Sequence, residues 1–353
     1  MAVRIMIMAG GTGGHVFPAL AVAKWLIQEG HEVSWLGTKK GIEARLVPET
    51  GISIDWLSVS GLRGKGLKST LLAPFMLLKA CYQAYDIIRQ RKPDVVLGLG
   101  GFASGPGGLM SYLLGKPLVI HEQNRVPGTT NRLLKCVAAR VLEAFPDSFS
   151  AKSKAVFTGN PLRAELMDIQ GMSVNKGRKI LIIGGSLGAS ILNEVVPQAL
   201  NILKKDVTVD VIHQAGELTL DKAKSNYIDN QVQAEVTDFI DDMKEVYQWA
   251  DLVICRAGAM TISELAIMGL PAILVPLPHA IDDHQTKNAA YLSAAGAAVM
   301  MPQAEFTKEN LAERLKALLL SPEKLKLMGD KAYQLSTPKA TETVAKICLE
   351  AAL

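Results

Sequence analysis

The sequence is poor in cysteine. Among 353 residues it has four, which stand far apart and form no Cys-x-x-Cys pair: Cys81, Cys136, Cys255 and Cys348. Such spacing argues against a disulfide-stabilised secreted domain and against a cysteine-ligated metal. We therefore expect reduced, buried thiols in a cytosolic protein, and no metal site.

Long apolar runs are also missing. No stretch reaches the roughly 18 apolar residues of a membrane-spanning helix. The apolar run at the amino terminus stops at Gly10 without the cleavage-type segment of a signal peptide. The net charge of +4 is too small to indicate nucleic-acid binding. We expect a protein that lies in the cytosol or on a membrane surface and binds no nucleic acid.

Two common nucleotide-binding motifs are absent. Gly11 and Gly13 match the first two positions of the dinucleotide fingerprint, but Val16 stands at the third. The second predicted strand ends in "WLGTKKG", without the acid that binds a ribose in such sites. No glycine segment continues into the Gly-Lys-Ser/Thr of a P-loop. NAD and P-loop nucleotide binding are therefore disfavoured.

The sequence instead repeats one order of elements, in which an apolar run precedes a glycine turn and a helical pattern. The order begins with "VRIMIMA" and restarts after residue 160 with "KILIIGGSLGAS". Alternating strands and helices predict parallel sheets covered by helices on both faces. Two such series predict two Rossmann-like domains, residues 1–160 and 161–336. The pattern leaves open which of them the last helix, about 337–353, packs on.

Three glycine-rich turns follow predicted strands: "GGTGGH" (10–15), "GGSLGAS" (184–190) and "RAGAMTISE" (256–264). Glycine lets a ligand approach the backbone, and the start of a helix offers free N–H groups, so these turns suit a diphosphate. The alternative is a tight strand-to-helix turn without a ligand, for which one glycine would suffice.

Two side chains in these turns have both a functional and a structural interpretation. His15 can take a proton from a hydroxyl nucleophile at neutral pH, or it only bonds a loop carbonyl. Thr261 or Ser263 would cap the third helix and place Glu264 in its first turn. There the carboxylate either binds a ribose diol or compensates the helix dipole. Both alternatives stay open at this point.

Two polar clusters follow further predicted strands. The first, "HEQNRVPGTTNR" (121–132), suits recognition of hydroxyl and amide groups. The second, "HAIDDHQTKNA" (279–289), matches no strong metal signature. Its Gln285 and Asn288 lie one helical turn apart, where they could bind sugar hydroxyls.

Residues 61–92 combine seven basic side chains with one acid and enclose the apolar stretch "LLAPFMLL". An anionic membrane surface attracts an apolar patch that is ringed by Lys and Arg. The alternative is an amphipathic helix with its apolar side in the core and its basic side in solvent. The shortage of acids favours membrane contact.

Taken in chain order, the motifs resemble the MurG family of bacterial N-acetylglucosaminyltransferases: "GGTGGHVFPALAVA", "GGFASGPGG", "GNPLR", "GGSLGA", "CRAGAMTISE" and "DDHQTKNA". The resemblance implies an α/β fold of the GT-B class, two Rossmann-like domains whose parallel sheets face across a deep cleft. It also implies that the last helix returns to the amino-terminal domain. The implied reaction is inverting transfer of N-acetylglucosamine from UDP-N-acetylglucosamine to the C4 hydroxyl of the muramoyl sugar of lipid I, which gives lipid II.

The resemblance further implies roles for individual residues. His15 and Glu122 are the candidate catalytic residues, with His15 as general base or acceptor-positioning group. Donor binding is assigned to Thr12, Gly13, Gly14, Asn124, Arg163, Ser186, Ile240, Ala259, Met260, Thr261, Ile262, Ser263, Glu264 and Gln285. Membrane contact is assigned to Lys68, Leu71, Leu72, Phe75 and Lys79.

The same resemblance implies a peripheral enzyme on the cytoplasmic face of the inner membrane, without a metal or other cofactor. Cell-wall or cell-division proteins are implied as further partners. Three rival interpretations remain. A UDP-sugar 2-epimerase would need no lipid acceptor, a related lipid glycosyltransferase would use another one, and a non-catalytic sugar-nucleotide binding protein would tolerate the loss of His15.

Overall fold

The computed structural model describes residues 2–59, 67–167, 178–185, 188–278 and 280–353, and only the backbone of 67–72 and 281. The chain divides into two compact units. Unit 1 is Met1–Arg163 with Thr337–Leu353, and unit 2 is Ala164–Ser336. The first crossing between the units follows Arg163, three residues beyond the predicted boundary at 160.

The described residues of unit 1 form a seven-stranded parallel sheet. Its strands are β1 (Arg4–Met8), β2 (Glu32–Thr38), β3 (Ser53–Leu57), β4 (Val95–Gly98), β5 (Leu118–Glu122), β6 (Arg140–Glu143) and β7 (Val156–Phe157). They lie in the order β3-β2-β1-β4-β5-β6-β7. The helices that connect them are α1 (Gly13–Gln28), α2 (Glu43–Leu46), α3 (Leu67–Arg91), α4 (Ser104–Leu113) and α5 (Thr129–Leu134).

Strand β1 shows why this sheet is covered on both faces. Ile5 and Ile7 pack into one hydrophobic cluster, which includes side chains of α1. Met6 and Met8 point to the other face and join a cluster with side chains of α3 and α4. Successive residues of a strand face opposite sides, so a continuous apolar run such as "IMIM" belongs in the middle of a sandwiched parallel sheet.

The described residues of unit 2 form a six-stranded parallel sheet. Its strands are β8 (Lys179–Ile183), β9 (Asp210–Gln214), β10 (Glu235–Thr237), β11 (Leu252–Cys255), β12 (Ala272–Leu274) and β13 (Ala298–Met300). They lie in the order β10-β9-β8-β11-β12-β13. Its helices are α6 (Ser190–Leu203), α7 (Leu220–Asp229), α8 (Met243–Trp249), α9 (Ala259–Met268), α10 (His284–Ala294), α11 (Lys308–Leu319) and α12 (Pro322–Gln334).

The last helix, α13 (Ala340–Ala351), packs against α1 in unit 1. Val344, Ala345 and Cys348 are buried in the same cluster as Ile5 and Ile7. The hydroxyl of Thr341 donates a hydrogen bond of 3.1 Å to the carbonyl of Leu162. The end of the chain therefore completes the core of the unit in which the chain began.

Each sheet has one point at which the strand order reverses, between β1 and β4 in unit 1 and between β8 and β11 in unit 2. In open parallel sheets, ligands bind beyond the carboxyl ends of the strands at such a point. The predicted glycine turns follow β1, β8 and β11. The fold thus places each of them where a ligand site is expected.

Among the described helices, none combines the length and the apolar character that crossing a membrane requires.

Candidate functional site

The first glycine turn leads from β1 into α1, whose first two residues are Gly13 and Gly14. Thr12 has an extended backbone (φ −121°, ψ 160°), and α1 begins directly after it. Within this described helix, no acid stands in the first turn and no side chain caps the N–H groups. The helix start can therefore face a phosphate or a developing negative charge. Donor contacts by Thr12, Gly13 and Gly14 stay a prediction.

His15 lies half-buried in the first turn of α1. Its Nδ1 is 3.3 Å from the hydroxyl oxygen of Thr12. A Cβ atom on Gly100 would lie 2.7 Å from Cδ2 and 2.8 Å from Nε2 of His15, so the ring lies directly against the turn after β4. In the tautomer in which Nδ1 donates to Thr12, Nε2 keeps its lone pair and can accept a proton.

The turn after β4 requires glycine at two positions. Gly100 and Gly101 have φ angles of 101° and 81°. A Cβ on Gly101 would collide with the backbone of Gly10, and one on Gly100 would collide with His15. Ser104, which the sequence reasoning missed, ties the two turns together, since its hydroxyl bonds the carbonyls of Gly100 (2.7 Å) and Met8 (3.0 Å). The available signal was a serine three residues beyond Gly101, at the start of the following helix.

Glu122 ends β5 with 2% of its surface exposed. One carboxylate oxygen accepts the backbone N–H of Asn124 at 3.0 Å. The other accepts the N–H of Gly128 and the side-chain amide of Asn131, both at 2.9 Å. These bonds shape the loop that carries Asn124. Direct catalysis by Glu122 stays a prediction.

The neighbouring His121 is fully buried, and this burial lowers its pKa to about 4. Its Nε2 lies 2.9 Å from the carbonyl oxygen of Gly159, in the segment that leads to Arg163.

The guanidinium carbon of Arg163 stands 5.5 Å from the centroid of the Phe17 ring on α1. Unit 1 thus brings Arg163 to the helix that carries His15, and Asn124 to the same sheet edge.

In unit 2, α9 follows β11 and begins at Ala259, after Gly258 in extended conformation (φ −67°, ψ 144°). The prediction that Thr261 or Ser263 caps this helix is wrong, because the helix starts earlier and the hydroxyl of Ser263 donates to the carbonyl of Ala259. Ala259 and Ile262 are buried, whereas Met260 and Thr261 are partly exposed at the helix start. Glycine rather than a side chain precedes the first turn, which leaves its N–H groups for an anion.

Glu264 falls in the second turn of α9. The alternative in which its charge compensates the helix dipole at the first turn is therefore also wrong. Its Oε2 accepts a hydrogen bond of 2.9 Å from the hydroxyl of Tyr247, which is 1% exposed. The half-buried carboxylate is thereby held in one orientation at the sheet edge. A fixed carboxylate can accept both hydroxyls of a ribose. Sequence reasoning did not find Tyr247, which lies on α8.

Of the other predicted contacts of unit 2, Ile240 lies on the loop after β10, and Gln285 and Asn288 lie on α10. Ile240 is half-buried and follows the exposed Phe239. The side-chain oxygen of Gln285 accepts a hydrogen bond of 2.9 Å from the backbone N–H of Leu277. The amide nitrogen of Gln285 therefore points away from Leu277. The prediction that Asn288 could bind sugar hydroxyls is wrong. Its side chain is fully buried, and its amide donates a hydrogen bond to the carbonyl of Ala257. Ser186 lies outside the described residues.

In the 279–289 cluster, His279 lies outside the described residues. In the rest of the chain that the structure describes, no three His, Cys, Asp or Glu side chains come together in a way that could hold a metal ion.

The two units match two domain families in tandem. The glycosyltransferase family 28 N-terminal domain matches residues 5–143, and the glycosyltransferase family 28 C-terminal domain matches residues 179–344. A protein from Methylococcus capsulatus is 57% identical over 353 residues, covering 100% of this chain and 99% of that protein. It is named UDP-N-acetylglucosamine–N-acetylmuramyl-(pentapeptide) pyrophosphoryl-undecaprenol N-acetylglucosamine transferase.

Solved structures extend the comparison. The crystal structure of MurG from Acinetobacter baumannii matches with a TM-score of 0.84 and 42% identity, covering 99% of each chain. A putative UDP-N-acetylglucosamine 2-epimerase from Listeria monocytogenes matches with a TM-score of 0.70 and 15% identity, over 97% of this chain and 94% of that one. The second likeness shows a shared fold alone, whereas the first accompanies close similarity in sequence.

Proposed function

The chain belongs to the MurG family within glycosyltransferase family 28, and from this premise we propose that it converts lipid I into lipid II. It is a hexosyltransferase of the GT-B α/β class, and the predicted fold class and family are confirmed. The observation that carries the proposal is the 57% identity over the full chain to the N-acetylglucosamine transferase from Methylococcus capsulatus. This identity favours the transferase over the epimerase alternative.

The reaction moves N-acetylglucosamine from UDP to the C4 hydroxyl of the muramoyl sugar. The hydroxyl oxygen attacks the anomeric carbon from the side opposite the diphosphate, so a new C–O bond forms as the bond to UDP breaks. His15 takes the hydroxyl proton at Nε2, with Thr12 holding its Nδ1. The negative charge that develops on UDP is stabilised by helix N-termini.

The donor is bound largely by residues of unit 2. Ile240 contacts the uracil, Glu264 binds the ribose hydroxyls, and the start of α9 holds the diphosphate together with Ser186. Gln285, Asn124 and Arg163 complete the donor contacts, and Thr12, Gly13 and Gly14 contribute their backbone N–H groups. Support comes from the fixed Glu264 carboxylate and from the uncapped starts of α1 and α9.

Unit 1 presents an apolar surface that fits a membrane. On α3, Phe75, Leu78 and Tyr82 are spaced along one helix face, and each is at least 66% exposed. The adjacent α4 exposes Leu109 and Leu113, which lie one helical turn apart. Lys79 is exposed among them. The predicted contacts Lys68, Leu71 and Leu72 have side chains outside the described residues.

We infer that this surface rests on anionic lipid at the cytoplasmic face of the inner membrane, where the lipid-linked acceptor is found. Basic side chains near the surface add attraction to anionic headgroups. Cell-wall or cell-division proteins are further partners in this proposal. They would reach the enzyme at the same membrane.

Replacing Phe75 by aspartate tests the membrane surface. Phe75→Asp is expected to weaken binding to vesicles rich in phosphatidylglycerol by roughly thirtyfold or more, since it removes about 2 kcal/mol of apolar burial and adds a like charge. Leu218→Asp is the matched control, because Leu218 is 86% exposed in unit 2. Equal binding of both variants in a vesicle co-sedimentation assay would locate the membrane contact elsewhere.

The function itself is tested by a transfer assay with UDP-[14C]N-acetylglucosamine and a short-chain lipid I analogue. Disaccharide product and UDP are expected in equal amounts, at the same rate with and without EDTA. Dependence on an added divalent ion would contradict the metal-free mechanism. A 2-epimerised UDP-sugar formed without acceptor would support the epimerase, and donor binding without turnover would support a binding protein.

A further inference from the structure

Glu43 is a buried carboxylate for which the transfer mechanism has so far required no role. It opens the short helix α2 within "GIEARL" and has 0% of its surface exposed. Burying a charge is costly unless the group is fully hydrogen-bonded. A carboxylate at such a position therefore needs hydrogen-bond donors around both of its oxygens.

Three neutral donors surround this carboxylate. Its Oε2 accepts the backbone N–H of Gly11 at 2.9 Å. Its Oε1 accepts the backbone N–H and the hydroxyl of Thr38, at 2.9 Å and 2.8 Å. Within the described part of the chain, no Lys, Arg or His forms an ion pair with Glu43. The bond to Gly11 is thus one of three that offset the burial of the charge.

The space around the carboxylate is made by three glycines from separate segments. A Cβ on Gly10 or on Gly41 would collide with the carboxylate, and one on Gly37 would lie 3.0 Å from Cγ of Glu43. Gly10 follows β1, Gly37 lies in β2, and Gly41 precedes α2. The chain thus leaves a fitted space for this side chain between the end of β2 and the first glycine turn.

We propose that Glu43 is a positioning residue, which holds the first glycine turn and through it the ring of His15. The anchored Gly11 precedes Thr12, whose hydroxyl stands 3.3 Å from Nδ1 of His15. Because Glu43 occupies the N–H of Gly11, that group is unavailable to a phosphate. The turn is fixed by an internal anion, while the following residues face the substrates. This inference rests on the proposed transferase function.

Glu43→Gln isolates the bond to Gly11. The amide oxygen of glutamine can accept both donors of Thr38, which leaves its NH₂ facing the N–H of Gly11. Two donors cannot bond each other, so the turn is released. We expect kcat to fall roughly ten- to hundredfold, since displacing a catalytic group by about 1 Å has effects of that size.

A double-mutant cycle separates positioning from general structural damage. In a His15→Ala background, Glu43→Gln is expected to lower kcat less than threefold, because the group that it positions is gone. Thr38→Val is the matched control. It removes one donor to Oε1 but keeps the bond to Gly11, and we expect its kcat within threefold of the wild type.

Amide hydrogen exchange gives a readout that needs no activity. The N–H of Gly11 should exchange at least tenfold faster in Glu43→Gln than in the wild type, and at the wild-type rate in Thr38→Val. Glu43→Asp serves if the glutamine variant does not fold, because the shorter side chain cannot reach both Gly11 and Thr38.

Unchanged exchange of Gly11 in both Glu43→Gln and Glu43→Asp would overturn the proposal, since the glutamine amide can also turn its oxygen to Gly11 and donate its NH₂ to the hydroxyl of Thr38. Independent, multiplying losses of kcat in the double mutant would do so as well, because Glu43 would then act without His15. The two proposals can fail separately. If the wild type transferred no sugar, but Gly11 still exchanged faster in Glu43→Gln than in the wild type, the proposed function would be refuted. The inference that Glu43 holds the glycine turn would stand.

Discussion

Replacement of His15 by alanine is expected to lower kcat by about a hundredfold or more and to leave the affinity for UDP-N-acetylglucosamine nearly unchanged. A lost general base costs about 10²- to 10⁴-fold. The proposed donor contacts come mainly from α9, Glu264 and Gln285 in unit 2, whereas His15 belongs to α1 in unit 1. Turnover in the lipid I assay and calorimetric titration with the donor measure the two quantities separately.

His31→Ala is the matched control for this variant. His31 lies in the same unit just after α1, and its Nδ1 bonds the N–H of Val3 at 3.1 Å. Its removal costs one hydrogen bond but leaves the glycine turn untouched, so kcat is expected within twofold of the wild type. If His15→Ala turned over at the wild-type rate, His15 would have no part in catalysis.

Replacement of Glu264 by alanine is expected to act on the donor instead. It should raise KM for UDP-N-acetylglucosamine by at least about a hundredfold and change kcat less than threefold. Hydrogen bonds to a charged group contribute about 1.5–3 kcal/mol each, and the ribose loses two of them. An interaction made equally in the ground and transition states affects KM alone.

Two related variants sharpen this result. Glu264→Gln keeps the shape and one acceptor, so its KM should lie between those of the wild type and Glu264→Ala. Tyr247→Phe removes the hydroxyl that holds the carboxylate at 2.9 Å and should raise KM by less than tenfold. A wild-type KM for Glu264→Ala would remove Glu264 from the ribose site.

The positions of the binding turns were predictable because the signal is local. The apolar run before Gly10 and the helical pattern after it place a glycine turn at the end of a strand, and the same holds before α9. Parallel connectivity then brings such turns to one edge of each sheet. Two helices begin earlier than predicted. Helix α1 begins at Gly13, inside the predicted turn at 10–15, and α9 begins at Ala259, where hydroxyl side chains at 261 and 263 had resembled helix caps.

Other features depend on contacts between distant segments and left no local signal. Glu43 stands in a stretch with the composition of a solvated helix, yet it is buried by glycines from three segments. Tyr247 reaches Glu264 from another helix. The docking of α13 on α1 was left open by the pattern and came from the family resemblance. Periodicity cannot reveal which helix covers which sheet when two sheets are available.

The return of α13 to unit 1 also concerns the order in which a ribosome makes the protein. Unit 1 begins to emerge first, but α13, which supplies Val344, Ala345 and Cys348, is made only after unit 2. At about 5–20 residues per second, the intervening stretch takes roughly 10–40 s to synthesise. During that interval the nascent chain exposes an apolar groove along α1 and the neighbouring sheet face. The interval gives a chaperone enough time to bind there.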